Sequence, residues 1–498
     1  MDQTDQIGQI GQIERATGAP GQAAPRFRVF AGALTPSRSV GRVSRRAMLR
    51  VGAIAGLTAL GACTHPNARG PDPMPTATTP PTAPPVPTKP PPTPTALAAS
   101  ERAPTPVPSP LTPPASASRP VPSPSSSTLK PGYLRAQGSR LVDAKGDEAI
   151  LTGVNWFGFE TDASAPHGLW ARNWGEMLDL VARLGYNVIR LPYANQVLDP
   201  NCRPGSLNYS VNPDLQGLNA LQLMDKLVEG AGQRGIKVIL DRHRPTPAGQ
   251  SNLWYVDAVP EEQWIADWVF LARRYRGNDA VVGVDLHNEP HGEATWGAGD
   301  PKTDWRLAAE RAGNAILEAN PDLLIIVEGI ERYEDDWYWW GGNLQGVARS
   351  PIKLGFPDKL VYSAHDYGPG VYNQKWFQDR TFPDNLPAVW DTHWGYVVRQ
   401  DIAPVLVGEF GGRSVGSDAE GIWQRALVAY LKEHRISYTY WCLNPNSGDT
   451  GGILADDWQT VNQAKQDLLA SYQAPKLPVA NASVVDLSLA IPARQPRR

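Results

Sequence analysis

Between Tyr133 and Tyr472, short and nearly continuous apolar runs alternate with longer stretches in which apolar residues recur every three or four positions. The runs are Ile150–Trp156, Asn187–Tyr193, Lys237–His243, Val281–Glu289, Leu323–Gly329, Leu360–Tyr367, Pro404–Glu409 and Ser437–Leu443. Side chains of a strand alternate between two faces, so an apolar residue at almost every position marks a strand buried on both sides, as in parallel sheets. The stretches Trp174–Leu184, Leu218–Arg234, Trp264–Tyr275, Trp305–Ala319 and Ile422–Glu433 carry the period of amphipathic helices. Eight strand-then-helix units in about 340 residues predict an α/β fold, a single (β/α)8 TIM barrel, better than an open sheet. Such a barrel builds its site at the C-terminal ends of the strands. Those ends carry Trp156, Arg190, His243, Asn288 with Glu289, Glu328, His365 with Tyr367, Glu409 and Trp441. Any one of them could simply cap a strand or pair locally, but a whole ring of such residues points to a site.

Composition divides the 498-residue chain further. Its 48 prolines concentrate before residue 132, whereas the 17 tryptophans lie after it. Residues 64–131 are Pro, Thr, Ala and Ser with few large apolar side chains, so this segment is expected to be a disordered, extended linker. Ahead of it, Ser44-Arg45-Arg46 precedes a short apolar run from Val51 to Ala62. That run is too short for a membrane span of about 20 residues and reads as a twin-arginine export signal within residues 1–63. Leu60-Gly61-Ala62-Cys63 resembles a lipobox, which would attach a lipid anchor at Cys63; the alternative is cleavage near Ala62 and secretion. The catalytic segment is assigned to 132–474, and 475–498 reads as a tail. Net charge of −3, with both signs interspersed, offers no attraction for nucleic acid or an anionic membrane. With Cys63 set aside, Cys202 and Cys442 are the one remaining pair of cysteines, and nothing in the sequence brings them together. About half of the tryptophans suit core packing, and the others suit stacking on sugar faces.

Two glutamates on non-adjacent strands can face one another across a sugar. Glycosidic cleavage needs that pairing: an acid at the leaving oxygen and a carboxylate near the anomeric carbon. Spacing along the chain does not say whether Glu289 and Glu409 sit at a retaining or an inverting separation. Asn288 and Glu289 are consecutive, so both can reach the pocket only where the strand loosens, and Pro290 makes an end there.

Several stretches together carry a family resemblance. They are Gly153-Val-Asn-Trp-Phe-Gly-Phe-Glu160, Ile189-Arg-Leu-Pro-Tyr193, Leu240-Asp-Arg-His-Arg-Pro245, Asp285-Leu-His-Asn-Glu-Pro290, Tyr362-Ser-Ala-His-Asp-Tyr367, Gly408-Glu-Phe410 and Asn444-Pro-Asn-Ser-Gly-Asp-Thr-Gly-Gly-Ile453. From Tyr133 to about Tyr472 the chain resembles the bacterial endo-β-1,4-glucanases of glycoside hydrolase family 5, subfamily 1. The resemblance implies a retaining mechanism without a cofactor or metal, with Glu289 as acid/base and Glu409 as nucleophile. It also implies that Arg190 and Tyr367 hold the nucleophile and that Asn288 contacts the sugar 2-hydroxyl. His243 and His365 would line the cleavage subsite, Trp441 would be its platform, and Trp170 and Trp340 would carry flanking sugars. The expected partner is a β-1,4-glucan chain, and the protein is expected to be a monomer. Arg190 should keep Glu409 ionised, whereas Glu289 should start protonated.

The chain departs from its relatives in places. Cysteines found near Asp162 with Pro245–Pro247, and in Glu293–Ala298, are missing, and Leu443 stands where a second tryptophan is usual. Sister specificities for β-mannan, xyloglucan or mixed-linkage glucan stay open, as does a glycan-binding lipoprotein without activity. His287-Asn-Glu-Pro-His291 does not suit a zinc helix, because Pro290 disrupts the helical face that such a site needs. Gly408-Glu-Phe-Gly-Gly412 lacks the lysine and hydroxyl of a phosphate loop.

Overall fold

The structure, a computed structural model, describes residues 129–483. The export signal, Cys63, nearly all of the linker and residues 484–498 lie outside the described residues. Thirteen strands are present among the described residues. Three make a small antiparallel sheet: β1 (Arg135–Gln137), β2 (Arg140–Val142) and β3 (Glu148–Ala149). Then come β4 (Thr152–Asn155), β5 (Val188–Ala194), β6 (Lys237–Arg244), β7 (Val281–Asp285) and β8 (Leu324–Glu328). A hairpin of β9 (Arg332–Tyr333) and β10 (Asp336–Trp337) precedes β11 (Leu360–His365), β12 (Val405–Glu409) and β13 (Ser437–Tyr440). Strands β4–β8 and β11–β13 close an all-parallel eight-stranded barrel, as the run pattern predicts. The five expected helices are found as Trp174–Arg183, Ala220–Gln233, Glu261–Arg274, Trp305–Ala319 and Ala419–His434. Asn173 caps the first, accepting from Gly175 N at 2.8 Å, and Asn219 with Gln222 forms a reciprocal capping box on the second.

Polarity changes along the barrel axis. On β6, Ile239 belongs to the apolar cluster at the barrel floor, and the next residues on that face are Asp241 and His243. On β8 the inward series is Leu324, Ile326, Glu328, and on β11 it is Val361, Ser363, His365. The alternating positions Val238, Leu240, Ile325, Val327, Tyr362 and Ala364 pack outward against the helices. These three strands therefore anchor themselves at their N-terminal halves with apolar packing and present chemistry at their C-terminal ends. On β5, Arg190 is only the third of seven residues, not at the C-terminal end as expected, and its long side chain reaches up to the ring.

The small sheet closes the floor. Leu134, Leu141 and Ala149 join Leu151, Val188, Val282 and Leu406 there. Two buried lysines tie it down: Lys237 Nζ donates to Gly132 O and Asp279 O, both at 2.7 Å, and Lys359 Nζ donates to Leu134 O at 3.0 Å. Strands of two or three residues are too short to show a period, which is why the sequence pattern did not mark them. A helix at Gln463–Ala470 was likewise not anticipated. Residues 475–483 contain no helix or strand, but they are held against the floor. Leu477 packs on the apolar cluster, and Asp279 accepts from the backbone of Ala480 and Asn481.

Cys202 and Cys442 are both buried and free. Two further expectations need correction. The fourth barrel strand ends at Asp285, not at Glu289. Among the tryptophans, only Trp170, Trp174, Trp337, Trp340 and Trp441 escape burial, fewer than an even split, because the barrel–helix interface takes most of the indoles.

Candidate active site

Asp285 closes β7, and the chain then leaves the sheet through Leu286–Asn288. Glu289 has a φ of 53°, in the left-handed region that non-glycine residues seldom adopt. Glu289 N donates to Glu328 Oε2 at 2.7 Å, and Glu289 O meets His291 Nδ1 at 2.6 Å. This turn aims consecutive side chains, Asn288 and Glu289, into one pocket. It is the loosening that their adjacency requires. Gly341 passes so close that a Cβ there would lie 2.2 Å from Glu328 Oε2 and 3.1 Å from Glu289 Cα.

Across the barrel, the pairing of β11 with β12 shifts register between Ala364 and His365, and His365 lies opposite Glu409. The irregularity brings Glu409 inward directly after Gly408, where a Cβ would sit 2.7 Å from Ser363 Oγ and 3.1 Å from His365 Nε2. One carboxylate oxygen of Glu289, one ring nitrogen of His365 and one carboxylate oxygen of Glu409 lie within 4.8 Å of one another. This bounds the approach of the two carboxylates at one oxygen pair.

Arg190, fully buried at the centre, organises the ring. Its Nη1 donates to Glu409 Oε1 at 2.7 Å and to Asn155 Oδ1 at 3.1 Å. Its Nη2 donates to Asn288 Oδ1 at 2.9 Å and Glu328 Oε1 at 3.0 Å, and its Nε to Asp285 Oδ2 at 3.0 Å. Asp241 Oδ2 lies 3.1 Å from Nη1. Asp241, Asp285 and Glu328 have the mutual spacing of a cation site, and the cation that they surround is this guanidinium. Tyr367 Oη donates to Glu409 Oε2 at 2.7 Å. The Asn288 amide nitrogen is buried without a protein acceptor, leaving a donor for a ligand beside Glu409.

The two histidines are shifted in opposite directions. Burial lowers His243 to about 4, so the ring is neutral and its Nδ1 lies 2.7 Å from Asp241 Oδ2. Burial works against the His365 cation too, but Glu328, Glu409 and Glu289 around it raise it well above the usual range. Its Nδ1 lies 3.0 Å from Glu289 Oε1. That cation explains a reversal of the expected order. Burial works to raise Glu289, yet His365 and Gln250 hold it below the usual range. Burial raises Glu409, against the pull of His365 and Arg190 and with that of Glu289. At rest the proton nearest Glu289 sits on the imidazolium.

Rings continue from this centre. Trp441 lies nearly parallel to both His243 and Phe157, with ring centroids 5.4 Å away in each case; Phe157 meets His167 edge-on at 5.1 Å, and His167 leans on Trp170 at 5.5 Å. Trp170 is exposed and rests against the edge of Trp458. On the Glu289 side, Trp340 stacks on His291 at 3.8 Å, and its Nε1 donates to Glu331 Oε1 at 3.0 Å. Trp156 is buried, with its indole on the His167 carbonyl. Leu443 is fully buried, so that position presents no surface to a sugar. Asn155, Asp241, Asp285, Gln250 and His291 were not among the sequence candidates. Asp241 could have been found, since it lies two residues before His243 and so shares its strand face.

The profile of the cellulase family, glycosyl hydrolase family 5, matches residues 142–447. An endoglucanase of Paenibacillus polymyxa is 58% identical over 353 residues, covering 70% of this chain and 89% of that protein. The solved catalytic domain of the major endoglucanase from Xanthomonas campestris pv. campestris is 46% identical, with a TM-score of 0.65, covering 68% of this chain and 99% of that one. An endocellulase variant from Pyrococcus horikoshii, solved with cellotetraose, is 43% identical, also with a TM-score of 0.65, covering 69% and 99%.

Proposed function

From the premise that this chain belongs to glycosyl hydrolase family 5 and is an endoglucanase, we propose that it cleaves β-1,4-glucan internally by double displacement, with Glu409 as nucleophile and Glu289 as acid/base. The gap between the two carboxylates carries this reading. An oxygen pair within 4.8 Å favours the ~5–5.5 Å carboxyl separation of retaining glycosidases over the roughly 6.5–9.5 Å that inverting enzymes need to seat a water. Arg190 and Tyr367 aim both oxygens of Glu409 and stabilise its negative charge, countering the burial that would keep it protonated. Glu289 protonates the leaving oxygen and can draw on the His365 imidazolium 3.0 Å away. As Glu409 becomes a neutral ester, the charge facing Glu289 is removed. Its carboxylate then takes a proton from the attacking water. Asn288 offers its free N–H to the 2-hydroxyl of the sugar bonded to Glu409.

The ring row from Trp441 to Trp170 suits the glycone side. Trp340 suits the leaving sugars, because its His291 backing is tied to the backbone of the acid itself. The purified catalytic segment should release reducing ends from a soluble cellulose derivative faster than from mannan or xylan. Faster turnover of mannan would transfer the assignment to a sister specificity. The relative of Pyrococcus horikoshii solved with cellotetraose supports the glucan reading.

For the N-terminal segment we infer twin-arginine export and a lipid anchor on Cys63, on the strength of Arg45-Arg46, the short apolar run and Leu60-Gly-Ala-Cys63. Mass spectrometry of the mature N-terminus should find a diacylglyceryl cysteine. An unmodified terminus near Ala62 would replace the anchor with secretion.

A further inference from the structure

The two oxygens of Glu289 have different partners. Oε1 faces the His365 imidazolium at 3.0 Å, and Oε2 accepts from Gln250 Nε2 at 2.9 Å. Gln250 comes from the loop after β6, which is secured on both sides of it. Gly249 bridges to Thr246, Ser251 Oγ donates to Leu253 O at 2.6 Å, and Asn252 O accepts from His291 N at 3.2 Å. These ties hold the amide in place.

We propose that Gln250 is a positioning residue for the acid/base Glu289, its amide serving both protonation states of that carboxyl in turn. The inference rests on the reading of Glu289 as acid/base. Double displacement requires the carboxyl to alternate between acid and carboxylate. A partner that only donates would favour the carboxylate throughout the cycle. A primary amide can do both. Its N–H donates to the carboxylate, and after a half-turn about the Cγ–Cδ bond its carbonyl accepts from the protonated acid. Gln250 therefore holds the carboxyl plane through both steps without bringing a charge into the site. An arginine or lysine could not do this.

Other groups also bear on Glu289. The His365 cation is at Oε1, Glu328 Oε2 is at its backbone N–H, and Glu409, His243, Tyr367 and Asp241 act through their charge or polarity. Burial raises Glu289, His365 lowers it most, and the Gln250 amide is a further lowering influence. Removing that donor must raise it, and the direction separates a direct role from loop packing.

The experiment measures kcat/KM against pH on a cello-oligosaccharide, whose leaving sugar needs protonation, for the wild type, Gln250→Leu and Gln250→Glu. The alkaline limb reports loss of the proton that Glu289 shares with His365. It should move up by on the order of one pH unit in Gln250→Leu and further in Gln250→Glu, where a like charge opposes ionisation. The acid limb, set by Glu409, should stay in place. An unmoved alkaline limb in Gln250→Leu overturns the proposal, whatever happens to kcat or KM, because a loop-packing role changes those without shifting a titration. Glu289→Ala supplies the control on the underlying reading: azide should restore turnover of an activated aryl cellobioside as the β-glycosyl azide. Absence of that rescue would overturn the acid/base assignment and the role of Gln250 with it. Rescue with an unmoved limb overturns the role of Gln250 alone.

Discussion

Replacing Glu409 with glutamine is expected to lower kcat on cellulosic substrates by 10⁴-fold or more, an order-of-magnitude figure for loss of a covalent nucleophile. The amide is nearly isosteric, so the fold should survive, and the loss should be chemical. Glutamine keeps an acceptor for one partner, but it presents an N–H where Arg190 and Tyr367 both donate. With its oxygen kept toward Arg190, the new N–H can donate to the Tyr367 hydroxyl, which then accepts in place of donating, and no anion remains to attack the anomeric carbon. Glu289 is still present, so protonation of the leaving group is retained while the ester cannot form. Azide should therefore give no product of retained configuration. In the wild type, a 2-fluoroglycosyl inhibitor should label Glu409, read out by peptide mass spectrometry. A label on any other residue would sink the assignment.

Arg190→Met should cost about 3–5 kcal/mol of stability at neutral to alkaline pH, as well as activity, because it removes the one cation shared by four buried carboxylates. Burial already pushes Asp241, Asp285 and Glu328 to about 7 with the guanidinium in place. Losing it raises them further. A carboxyl whose folded pKa lies above its unfolded value favours the fold at low pH and costs stability as pH rises between the two. The variant's deficit should accordingly be small near pH 5 and widen as pH rises through and beyond about 7. Thermal melts of both proteins at pH 5 and pH 8 measure this. An equal deficit at the two pH values would mean that Arg190 acts by shape and hydrogen bonding, not by charge. Arg190→Lys should fall between, since an ammonium carries the charge but cannot reach acceptors from Asn155 round to Glu328 at once.

His365 and Glu409 could be named from the sequence because each stands at or near the end of an apolar run, and Arg190 because it is a lone cation inside one; a barrel turns such positions into a ring. Glu289 could be named as a residue but not as a geometry: the run was expected to continue through it, whereas the strand ends at Asp285 and a left-handed residue makes the turn. Gln250 and His291 lie in loops with no period, so nothing local distinguished them from filler. The expected order of protonation also failed. It considered Arg190 beside Glu409 but not a histidine shared by three carboxylates.

The sequence by itself determined the barrel, since strand burial on two faces and helix burial on one are local periodicities that a one-dimensional pattern records. It likewise determined which residue types reach the mouth of that barrel, because each strand carries its own polarity gradient from floor to rim. Only the tertiary structure decided how far apart the two glutamates stand, which carboxyl is raised and which lowered, and who holds the acid. Those properties arise between residues as many as 219 positions apart, Arg190 and Glu409 being the pair in question. They depend on distance and on exclusion of water, neither of which is written along the chain.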